Sequence, residues 1–305
     1  MEISEVPAFG WQRCLRLASA GAEVLVSIEV GPRVLSYRRH DGENVLRAYP
    51  EQMGTSGEAE YVVRGGHRIW ISPETEITYA PDNSPVTVAP ADGAVRLVNE
   101  ASERCPVRKE LTLSLAEDGA LTLDHRLVNE SEGEMEMASW GLTVMREGGY
   151  ELVPQPPLGS HETDLLPERV IVPWTYTDFS DDRWRFGSRL WRLIPKAGRP
   201  ATKLGFALLP GWAGYVLPGA FFVKRFAYEA GAPYPDRGCN FETFSKDDFI
   251  ELESLSPLRR LAPGEAVSHR ETWHLFGGDR MPPAEIDDAA LEQWLRPLLS
   301  PLGLL

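Results

Sequence analysis

The chain has 305 residues, 43% of them hydrophobic and 25% charged, the balance of a soluble globular protein with length for one large β domain or two ordinary ones. A surplus of 45 acidic over 31 basic residues leaves a net charge of −14, which argues against nucleic acid and anionic membrane surfaces as partners and says nothing against neutral sugars. Three widely spaced cysteines, Cys14, Cys105 and Cys239, with no CxxC pair, offer neither a disulfide framework nor a zinc site, and no metal or cofactor motif is evident. The start, MEISEVPAFGWQR, lacks the basic run and apolar stretch of a signal peptide, and no segment approaches the length of a membrane span, so a reduced, cytoplasmic compartment is expected.

Prolines (25) and glycines (27) punctuate short apolar runs, the pattern of an all-β fold. Trp11 to Leu17 reads as a first strand and Val24 to Val30 as a second. Gly31-Pro32 breaks the second, Arg33 to Tyr37 resumes, Asp41-Gly42 turns, and Asn44 to Leu46 returns. The polar stretch from Tyr49 to Glu60 reads as a loop. After Gly65-Gly66, which permits a sharp bend, an extended chain puts His67, Ile69 and Ile71 on one face and Arg68, Trp70 and Ser72 on the other. Val95 to Val98, Val107 to Leu115 and Leu121 to Val128 alternate clearly, and Asp118-Gly119 joins the last two as a hairpin. His125 points where Leu121, Leu123 and Leu127 point. Met135 to Met145 returns as a strand through Trp140.

Residues 148–201 are the least regular part, but Trp174, Tyr176, Trp184 and Trp191 make disorder a poor description. Lys203 to Leu208, Ala213 to Val216 and Ala220 to Tyr228 read as strands. From Phe249 to Leu255 the alternation sets Phe249, Glu251, Glu253 and Leu255 on one face, so two carboxylates lie between apolar residues. A buried stripe with two Glu needs partners or a job. Pro263-Gly264 suits a type II turn, and His269, Glu271, Trp273 and Leu275 share a face of the last strand. Asp287 to Leu299 has helical apolar spacing, and Pro297 is expected to kink or end that helix near Arg296. The expected organisation is one β-sandwich domain, 1–278, with a helical extension, 279–305, packed on it.

The run LESLSP (Leu252 to Pro257), the LAPGE turn (Leu261 to Glu265) and the closing strand resemble the C-terminal signature of the galactose mutarotase-like superfamily. GGHRIWISPE upstream and NFETF before the strand are similar to a bacterial branch of it more than to a true aldose 1-epimerase. The resemblance implies a large antiparallel supersandwich with a concave sugar pocket. It also implies a catalytic pair, in which a Glu takes the anomeric proton and a His protonates the ring oxygen. Glu253 matches the base. At the acid position the chain reads ASWGLTV (Ala138 to Val144), without a histidine, which leaves His67 as the candidate and His125 as the other.

Candidate sugar contacts are Arg68, Glu74, Lys224, Asn240 and Glu242, with Trp70 and Trp140 as faces on which a sugar ring stacks. Asn240 and Glu242, two apart, are expected on one face, and at most one of Lys224 and Arg225 faces a cavity. The leading expectation is a carbohydrate-binding protein for a monosaccharide or sugar derivative. The alternatives are an aldose 1-epimerase with Glu253 as base, and an interaction module that binds no sugar and exposes a Trp294 face. The oligomeric state is not legible.

Overall fold

The computed structural model describes all residues, 1–305. In chain order its strands are Glu2–Ala8 (β1), Trp11–Ala18 (β2), Glu23–Ser27 (β3), Arg33–Arg38 (β4), His67–Ser72 (β5), Thr87–Ala91 (β6) and Ala94–Asn99 (β7). Val107–Leu115 (β8), Leu121–Asn129 (β9), Met135–Val144 (β10), Tyr150–Pro154 (β11), Ile171–Pro173 (β12), Trp184–Phe186 (β13) and Leu190–Leu193 (β14) follow. The last are Thr202–Phe206 (β15), Trp212–Leu217 (β16), Ala220–Phe226 (β17), Phe241–Lys246 (β18), Phe249–Leu255 (β19), Arg259–Leu261 (β20) and Ala266–Gly277 (β21).

They form two antiparallel sheets. The first has 11 strands in the order β1-β2-β3-β4-β5-β10-β19-β18-β15-β12, with β20 paired to β10. The second has ten, in the order β13-β14-β11-β16-β17-β21-β9-β8-β7-β6. Strands that alternate apolar and polar residues hide one face, and here both sheets turn that face toward each other over a single core of 43 buried residues. Leu121, Leu123, Leu127 and Trp273 enter it from the second sheet, Ile69, Ile250 and Leu252 from the first.

The helix Asp288–Leu299 covers the far side of the second sheet, where Leu291, Leu295 and Leu299 bury against Trp212, Phe221 and Val223. Asp287 caps it by accepting from Ala290 N–H at 2.9 Å. The helix continues from Arg296 to its end at Leu299. Pro297 lies in its last turn, so the ring forfeits one bond while Leu299 gains full burial. No helix is long and apolar enough to cross a membrane.

Two expectations are corrected. Asn44 to Leu46 is no strand: the Asn44 amide accepts from Tyr37 N–H and Leu46 N–H and donates to Leu35 O, each at 3.0 Å, so a side chain takes the place of a ladder. Residues 148–201 are also more regular than their Pro and Gly content suggests. Three of their short strands extend the second sheet, and β12 forms an edge of the first.

Candidate functional site

The outward face of the first sheet, turned away from the core, gathers the chain's strongest polar cluster. Alternation dictates its membership. Ile250, Leu252 and Ser254 of β19 point inward, so Glu251, Glu253 and Leu255 point outward. Register then aligns the neighbours: Glu253 lies opposite Glu242 of β18 on one side and Leu142 of β10 on the other. Trp140 and Trp70 are cross-strand partners, as are Leu142 and Arg68.

Two carboxylates directly opposite each other repel, and here one cation holds both. Lys203 of β15 places its Nζ 2.7 Å from Glu242 Oε2 and 2.9 Å from Glu253 Oε2. The same ammonium lies 4.8 Å from the Trp140 ring and 4.7 Å from the Trp174 ring, a cation between two indole faces. Trp140 Nε1–H donates to Glu253 Oε2 at 3.0 Å. Beside this group Arg68 pairs with Glu251 at 2.8 Å and lies 4.3 Å over the Trp70 ring.

Burial pushes the Glu242 carboxyl well above its ordinary range, and nearby Glu253 adds to this while Lys203 opposes it. Burial raises Glu253 too, with Lys203 pulling it back down. For Lys203 burial works the other way, and Glu253 with Glu242 outweighs it, so the amine stays charged. Glu242 Oε1 has no hydrogen-bond partner and is fully enclosed.

Aromatic residues roof the cluster. Trp174 and Tyr176 lie between β12 and β13, anchored where Thr177 Oγ1 donates to Lys203 O at 2.5 Å. Gly205, on the same strand as Lys203, makes room for Cys239 and Trp174, because a Cβ there would stand 2.5 Å from the Cys239 sulfur and 3.1 Å from the indole. Tyr61, Tyr79 and Trp70 continue the roof edge to face, and Glu74 accepts from the Tyr79 hydroxyl. Under it Glu242, Glu253, Lys203 and Arg68 are each no more than 5% exposed. The well-formed clefts of the molecule lie elsewhere, such as one of about 720 Å³ beside Tyr150 and Pro282.

The other residues singled out from the sequence are placed differently. His67 and Lys224 face the core between the sheets, on the side opposite Glu253, because the alternation that turns Arg68 outward turns His67 inward. His125, the other candidate acid, faces the same interior. Asn240 precedes β18 and spends its amide on the backbone: Leu208 N–H donates to it at 2.6 Å, and it donates to Leu208 O and Ala227 O. Glu74 sits exposed at the roof margin. The face therefore brings together Glu253, Glu242, Arg68, Trp70 and Trp140, and it separates His67, Lys224 and Asn240 from them.

Glu251, which the sequence placed beside Glu253 without giving it a sugar contact, completes the face with Lys203, Trp174, Tyr176, Tyr61 and Tyr79, none of which was a candidate contact. Lys203 had a signal, a lone cation in an otherwise apolar strand. Trp174 and Tyr176 had none beyond their aromatic-rich irregular segment, and Tyr61 and Tyr79 had none.

The inward cluster is a closed hydrogen-bond chain. His125 Nδ1 lies 3.1 Å from the backbone oxygen of His269, so that nitrogen carries the proton and Nε2 is bare. His67 Nε2–H then donates to it across 2.8 Å. His67 Nδ1 accepts from Thr143 Oγ1–H at 2.9 Å, and that oxygen accepts from Lys224 at 3.0 Å. Glu271 accepts from Ser254 Oγ and Trp273 Nε1, both at 2.7 Å, and lies 3.0 Å from Lys224 Nζ. Gly141 lets this happen, since a Cβ there would stand 2.2 Å from Glu271 Oε1.

His67, His125 and Glu271 bring potential metal-ligating atoms within 4.8 Å of one another. Their lone pairs are already engaged, and a divalent ion would have to displace Lys224 and change the His67 tautomer. Burial lowers all three histidines, His269 to about 3.

No family model matches the chain, and no curated protein matches it by sequence. Solved structures do match it. A galactose mutarotase-like protein from Lactobacillus casei superposes with a TM-score of 0.58 at 12% identity, covering 86% of this chain and 100% of that one. A galactose mutarotase-like protein from Clostridium acetobutylicum gives 0.54 at 14%, covering 91% and 99%. A galactose mutarotase related enzyme from Lactobacillus acidophilus gives 0.53 at 12%, covering 88% and 100%. The fold is galactose mutarotase-like.

Proposed function

We propose that the protein recognises a monosaccharide or a close sugar derivative on the outward face of its first sheet, between the Glu253–Glu242–Lys203 group and the aromatic roof. One observation carries the reading: paired carboxylates lie on one sheet face beside two indole rings. Sugars present hydroxyl groups to carboxylates and an apolar C–H face to aromatic rings, so this combination suits them. The fold likeness supports it, since the matched proteins carry the galactose mutarotase name. Ligand entry then requires the Trp174–Thr177 segment to swing away from Lys203.

A second reading, an aldose 1-epimerase with Glu253 as base, is favoured by the Trp140 N–H and Lys203, which both stabilise the ionised Glu253. The interaction-module reading loses its surface. Trp294 is half-buried, with its ring 5.1 Å from Phe221, so the apolar side of the helix is spent on the sheet.

Tryptophan fluorescence titrated with D-glucose and D-galactose tests the proposal. A saturable change is expected, with affinity about tenfold or more weaker in Glu253→Gln, the loss that goes with a charged hydrogen bond of about 1.5–3 kcal/mol. The absence of any saturable change, or equal affinity in the variant, contradicts it.

A further inference from the structure

We infer that Glu242 is the proton donor paired with Glu253, so that this site would open and close the cyclic hemiacetal of an aldose with two carboxyl groups and no histidine. This rests on the sugar-recognition reading above and adds the chemistry of the site.

The geometry assigns the two roles. Glu242 and Glu253 stand opposite each other across the β18–β19 hairpin and share one ammonium, at 2.7 and 2.9 Å. One positive charge balances one carboxylate. Glu253 takes the larger share of the stabilisation, because it accepts hydrogen bonds from both Lys203 and Trp140 Nε1 on the same oxygen. Glu242 has the Lys203 ammonium on Oε2 and no second donor, and its Oε1 is enclosed with no partner. A bare, buried carboxylate oxygen is costly, and a proton on Glu242 removes the cost. The pair therefore holds one proton, on Glu242. The charged and titratable groups around Glu242 are Lys203 from β15, Glu253 from β19, Asp236 and Cys239 from the loop before β18, and Tyr176 from the roof. Only Lys203 among them is a cation, so the surroundings favour the protonated acid.

In the step that follows, the Glu253 carboxylate takes the proton of the anomeric hydroxyl. The bond between the anomeric carbon and the ring oxygen breaks, its electron pair goes to the ring oxygen, and that oxygen takes the Glu242 proton. The anomeric carbon is now an aldehyde. After rotation of the carbonyl the same transfers run in reverse and return each proton to its first owner, so no oxidant, reductant or co-reactant enters. His67 and His125 are both in the sealed core and take no part.

The test is polarimetric mutarotation of freshly dissolved α-D-glucose and α-D-galactose over pH 5 to 10, run beside the fluorescence titration. The wild type should exceed the buffer rate, and its rate should fall at alkaline pH as Glu242 gives up its proton. Glu242→Gln should bind sugar yet lose about 10²–10⁴-fold in rate, as should Glu253→Gln, while His67→Gln keeps its rate whenever circular dichroism shows it folded. Sugar binding without acceleration by the wild type overturns the acid–base pair and leaves recognition standing. A Glu242→Gln protein at the wild-type rate, or a wild-type rate that does not fall at alkaline pH, overturns the role of Glu242. If neither sugar binds, both readings fall together.

Discussion

Lys203 reaches two carboxylates and two indole rings with one amine, and the local energetics follow from that arrangement. An ammonium and two carboxyl groups out of water are tolerable only while the charges among them compensate one another. Replacing the lysine by an apolar chain of similar length leaves Glu242 and Glu253 facing each other with no cation. Lys203→Met should lose about 3–5 kcal/mol of stability near neutral pH, the usual cost of breaking a buried pair. The sign with pH is fixed as well. Without the lysine the folded carboxyls hold protons that the unfolded chain releases above about 4.5, so the deficit grows as pH rises. Urea denaturation at pH 5 and pH 8 checks this. A loss of the same size at both would show that the carboxylates do not depend on Lys203.

At the scale of elements, most of the fold was legible because two-residue periodicity survives wherever a strand has one buried face. The segment Phe249–Leu255 shows it: Glu251, Glu253 and Leu255 share a face, as their spacing required. The hairpin at Asp118-Gly119 and the turn at Pro263-Gly264 were legible from their turn chemistry, and in the latter Glu265 N–H reaches Ala262 O at 3.0 Å. The misses have physical reasons. The edge strand β1 carries Glu2, Glu5 and mostly exposed positions, so it has no apolar stripe to announce it. Strands β12 and β13 are three residues each, too short for a period.

The site was half legible. Alternation said which residues of one strand face together, and that grouped Arg68 with Trp70 and Glu251 with Glu253. It could not say which face of the strand meets the other sheet. His67 therefore looked as available as Arg68, although one face is core and the other site. The third dimension also supplies Lys203 and Trp174, which come from distant parts of the chain.

At the scale of the whole molecule, the two sheets are joined by polar groups as well as by oil. His67, His125 and His269 are all enclosed and neutral, held by Thr143, Lys224, Ser254 and the backbone. Unfolded histidine binds a proton near pH 6.5, and burial lowers all three in the fold, His67 well below that value and His269 to about 3. Their contribution is complete above pH 6.5 and is lost as pH falls from there toward their folded values, about 3 for His269. His125→Gln removes one of them. Relative to wild type, the variant should gain stability as pH falls below 6.5, by at most about 1.4 kcal/mol for each unit of pH and only until His125 takes up its proton in the fold, whatever the substitution costs at pH 7. Urea denaturation at pH 7, 6 and 5 reads this, and parallel stability curves would show that His125 binds its proton equally well in the folded and unfolded chain.

The proposed sugar ring sits on the outward face of the first sheet, under the displaced Trp174 and Tyr176. A crystal structure of the protein grown with a saturating reducing hexose tests it most directly. The expected result is the ring against Trp140, a hydroxyl within hydrogen-bonding distance of Glu253, and the Trp174–Thr177 segment moved off Lys203. A sugar bound at another cleft, or an unmoved roof with no sugar beneath it, would rule this site out.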